Sequence, residues 1–234
     1  MTDDRDLQGL DPYDLMDVEA GRLDRYFSHL GDADWSKPSR CAGWSVRDVL
    51  AHLAASEDYN HASLEGSVGA LLAAWGEKGA TDLDSANEIG IRELDDRSTD
   101  ELVAEWRVAN AETRAKLRER DGDDIDTSIG AYSARWQAFH LAFELAVHAD
   151  DVGVPVTADE AAGRTAWEAA FGRFALKELD KGLELDAADG QTRVHGEGID
   201  VELPDAVFVA AVAARLDPDG PLDAEQRALL SATP

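Results

Sequence analysis

Cysteine is almost absent. Cys41 is the only one among 234 residues, which excludes an internal disulfide framework and a cysteine-rich metal site. Basic residues are scarce as well: 22 lysines and arginines stand against 49 aspartates and glutamates, a formal net charge of −27. Nucleic acid or an anionic membrane would demand a basic surface, so neither is an expected partner. The surplus of acid fits solubility in a salty or crowded cytosol and identifies no substrate. No apolar run reaches the length of a membrane span, and the start Met1-Thr2-Asp3-Asp4 lacks the basic and apolar regions of a secretory signal. The expectation is a cytoplasmic protein whose 44% of hydrophobic residues suffices for a substantial core.

What the chain does have is helical periodicity. Asp11-Pro12 opens a first helix, with Pro12 where its missing N–H costs nothing, and Leu15, Val18, Leu23, Phe27 and Leu30 recur at helical spacing to Gly31. Ser45, with Asp48 three residues on, caps a second helix that carries Val46, Val49, Leu50, Leu53 and Ala54 inward. Gly66, Gly69 and Gly76 punctuate a segment expected to be a broken helix or lid. A third helix starts near Thr81-Asp82, and Ser98-Thr99-Asp100-Glu101 starts the next, which runs to Arg118-Glu119-Arg120. Asp121-Gly122-Asp123-Asp124 is expected to be a solvated loop, since it lacks the downstream Gly and Glu of a calcium loop.

Trp136 to Asp151 then reads as one helix, free of Gly and Pro and closed by Val152-Gly153-Val154-Pro155. Residues 156–234 are expected to form a separate small α+β domain. In it a helix from Thr157 to about Lys181 precedes three alternating strands, Leu183-Asp186, Thr192-His195 and Ile199-Leu203. Helices from Pro204-Asp205 and from about Asp223 follow. The expected architecture is mainly α, with a helical bundle over residues 1–155.

His140, Glu144 and His148 lie four apart, so they share one face of the Trp136–Asp151 helix. Two imidazoles and a carboxylate on a largely apolar helix are costly to bury without partners. A divalent cation satisfies them, and bundles build such sites from facing helices. Glu144 and His148 with His52 of the second helix make a His, Glu, His set that leaves positions open for water or substrate, the catalytic pattern for zinc or another divalent ion. His140 competes as a ligand one turn earlier, and a solvated ladder beside a core His52 is the plain alternative. His61, nine positions after His52, should point away. His29 and His195 read as surface or structural residues. Ser56 and Tyr59 follow His52 by one and two turns, as pocket groups or as packing. Cys41 reads as a small loop residue, and Trp44 as a core residue near the bundle mouth.

Pro38-Ser39-Arg40-Cys41-Ala42-Gly43-Trp44-Ser45-Val46-Arg47-Asp48-Val49-Leu50-Ala51-His52-Leu53 closely resembles the opening signature of the mycothiol-dependent maleylpyruvate isomerase family. Glu144-Leu145-Ala146-Val147-His148-Ala149-Asp150-Asp151 is similar to that family's second metal signature. The resemblance covers residues 10–152 well and implies a DinB-like up-and-down four-helix bundle with a small C-terminal α+β domain. It implies that His52, Glu144 and His148 hold a divalent metal, most simply Zn2+, and that mycothiol is the thiol cosubstrate. Asn87 resembles a recurrent Asn of the third helix. Arg215, ending the apolar helix Val207 to Ala214, resembles an Arg that follows the corresponding helix in relatives; meeting a substrate carboxylate is one expected role, and a plain C-terminal cation favoured by the helix dipole is the alternative.

The implied enzyme is an isomerase or S-transferase acting on a small, electrophilic, anionic substrate, as a monomer or homodimer. Its type reaction is the cis–trans isomerisation of maleylpyruvate. A metal-dependent hydrolase on the same bundle and a non-catalytic metal-binding or stress-response module are the competing expectations, because a fold does not settle function.

Overall fold

The computed structural model describes residues 3–232. Met1, Thr2, Thr233 and Pro234, on which the ends of the two expected domains and part of the N-terminal reading fall, lie outside the described residues. Two compact units are present: one spans residues 11–154, and the other joins the residues up to Leu10 to those from Pro155 onward.

The first unit is a bundle of α1 (Pro12–Phe27), α2 (Val46–Glu65), α3 (Val68–Glu77), α4 (Leu83–Glu93), α5 (Thr99–Glu119) and α6 (Ala134–Asp151). Side-chain caps set the starts. The Asp11 carboxylate accepts from the Tyr13 and Asp14 amides, and Ser45 with Asp48 and Ser98 with Glu101 form reciprocal capping boxes. Gly66, at φ +72°, ends α2 in the left-handed conformation that glycine adopts without strain. Helix α1 packs on α6 and α5, and α2 packs on α5, with α4 laid along its other side. A Cβ on Gly90 would sit 2.8 Å from that of Ala55, so glycine is what lets α4 come so close to α2.

The core of this unit gathers Leu23, Leu50, Leu102 and Leu145 around an aromatic cluster. Phe27 stacks on Trp35 at 5.7 Å between centroids and meets Trp106 edge-on at 5.8 Å. Helix α3 differs: although apolar in sequence, only Val68 of it is buried.

Two boundaries depart from the sequence expectation, and a hairpin is added. Helix α1 stops at Phe27, short of Gly31, and α6 starts at Ala134, where the Ser133 hydroxyl accepts from the Trp136 amide. Between the expected acidic loop at Asp121–Asp124 and α6, a stretch given no structure in the sequence reading, lies an antiparallel hairpin of β1 (Asp124–Thr127) and β2 (Gly130–Ser133). Strands of four residues alternate too briefly to show in sequence. Tertiary contacts hold this one, since the Tyr59 hydroxyl accepts from the Ser128 amide at 3.0 Å.

The second unit begins with a short 3-10 turn, Arg5–Leu7, and holds α7 (Ala158–Glu178), the sheet β3 (Glu184–Ala188), β4 (Gln191–Gly196) and β5 (Ile199–Pro204), then α8 (Asp205–Val212) and α9 (Ala224–Leu230). The sheet is antiparallel in the order β3-β4-β5, with Leu185, Val194, Ile199 and Leu203 buried. Arg173 of α7 donates to Asp6 and to Thr192, each at 2.9 Å, tying the turn and the sheet to α7. Helix α8 ends at Val212, and Ala214 then turns the chain at φ +54°. Among the described residues no helix is long and apolar enough to cross a membrane.

Candidate metal centre

The capping box at Ser45 fixes where α2 begins and therefore which face each residue takes. Val49, Leu50 and Leu53 go into the core, and His52 lies between them at 7% exposure. On α6 the largely apolar sequence gives a helix on which no residue is fully exposed. Glu144 and His148, one turn apart, look from it toward α2. The His52 Nε2 atom is 3.3 Å from Glu144 Oε1. The His52 and His148 rings lie 4.9 Å apart, edge to face. One ligand atom from each of the three lies within 4.8 Å of the others. The Glu144 side chain is 34% exposed, so the carboxylate marks the open side of the cluster.

The electrostatics suit a cation. Burial is the largest influence on His148 and holds its imidazole below the ordinary histidine value, against the upward pull of Asp151. His148 is therefore neutral at pH 7, with a lone pair to give. Desolvation pushes the Glu144 carboxyl up, but hydrogen bonding from His52 and the fields of His52, His148 and His140 outweigh it, leaving the group below its usual value. An ionised Glu144 and a neutral His148 are protonation states that a metal requires. The donor set therefore fits a borderline divalent ion such as zinc.

Trp44 covers the cluster, its ring 5.1 Å from that of His52 and its Nε1–H donating to Glu88 at 2.9 Å. Cys41 is no inert loop residue. Its Sγ–H donates to Asp151 Oδ2 at 3.1 Å, and the same oxygen lies 3.2 Å from His148 Nδ1. His140 Nε2 is 3.1 Å from the Tyr132 hydroxyl and stands apart from the converging three. His61 points to the Ala109 carbonyl on α5. His29 lies against the Arg25 carbonyl, and His195 is exposed beside Asp200.

The Ser56 hydroxyl donates to its own helix at the His52 carbonyl, and Tyr59 reaches the hairpin through Ser128. Asn87 is half-buried on α4. Arg215 belongs to the second unit, just past α8, where its guanidinium donates to the Ala213 carbonyl.

The sequence reading passed over Asp151 as a partner of His148. The available signal was a carboxylate three residues after a helical histidine. It also passed over Glu57, a carboxylate 4% exposed between α2 and α5. Asn110 donates to Glu57 Oε1 at 2.8 Å, and Thr113 and Asn60 donate to Oε2 at 2.6 and 3.1 Å. Burial raises its pKa above the ordinary 4.5 despite those donors. The folded state thus keeps a proton where the unfolded chain has lost it. Stability contributed by this group falls as pH rises from about 4.5 through the raised folded value. Glu57→Gln is expected to remove that fall, so wild type minus variant stability should decline across the window in chemical denaturation. A difference independent of pH would show that Glu57 titrates as an ordinary carboxylate.

Residues 16–153 match the family model described as the mycothiol maleylpyruvate isomerase N-terminal domain. Two solved structures resemble the chain: the mycothiol-dependent maleylpyruvate isomerase, with a TM-score of 0.61, and that protein's H52A mutant, numbered in its own chain, with 0.60. Each is 18% identical, with 94% of this chain and 94% of the other covered. At that identity the likeness establishes the fold, a DinB-like helical bundle with a small α+β unit. No curated protein sequence matches the chain at a significant level.

Proposed function

The chain belongs to the mycothiol maleylpyruvate isomerase family, and from that premise we propose that it is a metal- and thiol-dependent isomerase or S-transferase acting on a small, anionic, electrophilic substrate. The observation that carries the proposal is the convergence of His52, Glu144 and His148 from α2 and α6. These three residues would hold the ion, most simply zinc. When bound, such an ion lowers the pKa of a thiol enough for a thiolate to form at neutral pH. Mycothiol is the proposed thiol. Reversible thiol addition to a substrate's activated cis double bond leaves a single bond free to rotate, and elimination restores the double bond as trans. An electrophile that cannot eliminate ends as an S-conjugate, which makes the outcome a transfer.

The chain's own groups divide the remaining work. His148, held neutral by burial, and His52 offer ring nitrogens, and Glu144 offers negative charge on the open side. The Trp44 indole shields His52 and is anchored by Glu88. We assign Trp44, Ser56, Tyr59 and Asn87 to the pocket and Arg215 to the substrate carboxylate. A cytoplasmic location goes with a reduced low-molecular-weight thiol. The test is turnover of maleylpyruvate by the full-length, zinc-loaded protein with and without mycothiol. Turnover that needs the thiol supports the proposal, and thiol-independent hydrolysis would replace it with a hydrolase. Arg215→Ala is expected to raise KM for the anion about tenfold or more with metal content unchanged, since charge-assisted hydrogen bonds contribute roughly 1.5–3 kcal/mol. Unchanged kinetics would reduce Arg215 to a helix-end cation.

A further inference from the structure

We propose that the gap between α2 and α6, running from the candidate metal centre to the β1–β2 hairpin, is a subsite for an uncharged, hydroxyl-bearing part of the ligand that reaches the metal. This rests on the reading of His52, Glu144 and His148 as the ligand set. Contacts close a ring around the gap. At one end His52 Nε2 meets Glu144 Oε1 at 3.3 Å. Along α6, His140 lies one turn before Glu144 on the same face, and its Nε2 is 3.1 Å from the Tyr132 hydroxyl of β2. Tyr132 also meets Trp136 edge-on, at 5.8 Å between centroids. At the far end the Ser128 amide donates to the Tyr59 hydroxyl at 3.0 Å, and that hydroxyl donates to Ser128 Oγ at 3.3 Å. Tyr59, Ser56 and His52 then follow one side of α2 back to the centre. The hairpin is a bridge from α2 to α6. With Tyr59 seven residues after His52, it bounds the gap about 10 Å from the centre.

The chemistry of the walls selects the ligand. Ser56, Tyr59 and Glu144 are half-buried, placed where a ligand can touch them and displace water. The Ser56 hydroxyl gives its proton to the His52 carbonyl at 2.9 Å, so its oxygen is left to accept. Tyr59 likewise gives its proton to Ser128 and keeps a lone pair. Ser128 Oγ, accepting from Tyr59, has its own proton to donate. A hydroxyl both donates and accepts, and so suits acceptors and donor alike. A carboxylate only accepts, and it would face the Ser56 and Tyr59 oxygens and the Glu144 charge. No lysine occurs on α2, α6 or the hairpin, and their two arginines are engaged elsewhere. Arg47 donates to the Leu94, Asp95 and Arg97 carbonyls, and Arg135 lies over the Tyr13 ring. The gap is therefore unsuited to the anionic end of a substrate.

The hairpin turns in two residues, Ser128 and Ile129, between the paired Thr127 and Gly130. Ile129 is 81% exposed, so the tie to Tyr59 sits at the very tip. A gap of this length accommodates one six-membered polyol ring beside the ion, without that ring ligating it.

The experiment titrates the full-length, metal-free protein with myo-inositol and with maleate, and follows NMR shifts of Ser56, Tyr59 and Ser128. Leaving zinc out keeps maleate from ligating it. Inositol is expected to shift these three residues with a dissociation constant of about 1–10 mM, as suits so small a ligand. Maleate should bind there at least about tenfold more weakly, being held against like charge. Ser56→Ala removes one acceptor and should weaken inositol about three- to tenfold, with deuterium exchange of the Ser128 amide unchanged. Tyr59→Phe should weaken it similarly and speed that exchange about tenfold, because the amide loses its acceptor. Absence of inositol shifts, maleate binding as tightly as inositol, or inositol affinity unchanged in both variants would each overturn the inference. Inositol binding by a protein that takes up no zinc would sink the metal-dependent function and leave the subsite standing. Thiol-dependent turnover without inositol shifts would do the reverse.

Discussion

Replacing His148 with alanine is expected to take the protein from about one divalent ion per chain to none, as measured by elemental analysis after reconstitution with zinc. A catalytic zinc site holds its ion with three protein ligands and an open position. Two remaining donors, one of them the partly exposed Glu144, do not retain a borderline ion against water. The His52→Ala variant should behave alike, because His52 alone brings a ligand from α2. The His61→Ala variant should keep its metal, since that side chain faces the Ala109 carbonyl. Thiol-dependent turnover should vanish with the metal. Equal metal content in all three variants would remove the basis for calling these residues ligands.

The largest effect on stability is expected at Phe27. Phe27→Ala should destabilise the bundle by about 3–5 kcal/mol, which for a protein of this size lowers the melting temperature by roughly 10 °C. Phe27 is buried at the end of α1, stacked on Trp35 and edge-on to Trp106 of α5, so one ring closes the contact between two helices and a loop. Truncation removes its apolar area and leaves a void that two indoles, rigid and already packed, cannot close. Val108→Ala, on the same α5 but 69% exposed, is the control and should change stability by less than about 0.5 kcal/mol. A loss below about 1 kcal/mol at Phe27 would mean that the cluster rearranges to fill the gap.

Much of the helical framework was legible because its signals are local. Ser45 with Asp48, Ser98 with Glu101 and Pro12 after Asp11 declare helix starts, and the structure begins α2, α5 and α1 there. The change of period after Gly182 announced β3, β4 and β5. At the candidate centre, helical spacing placed Glu144 and His148 on one face. Helical phase on α2 also favoured His52 over His61, which lies half a turn away, and the family resemblance pointed to the same residue; that α2 would face α6 is what spacing does not contain. Other features depended on contacts between distant segments. The β1–β2 hairpin leans on Tyr59, nearly seventy residues away. Cys41 meets Asp151 across 110 positions, and Glu57 takes donors from α5 as well as from its own helix. Tertiary packing decided those, and no periodicity in the chain encodes them.

Polar groups bridge two helices of the bundle: His52 of α2 meets Glu144 and His148 of α6. An ion held there would act as a removable cross-link between α2 and α6. Folding would then be linked to the metal supply of the surroundings. Free metal at a thousand times its Kd adds about 4 kcal/mol to the folded state, a large share of what a domain of this size commonly has in all. In a metal-starved cell the protein would lose resistance to proteolysis along with its chemistry, so its abundance would itself report metal status.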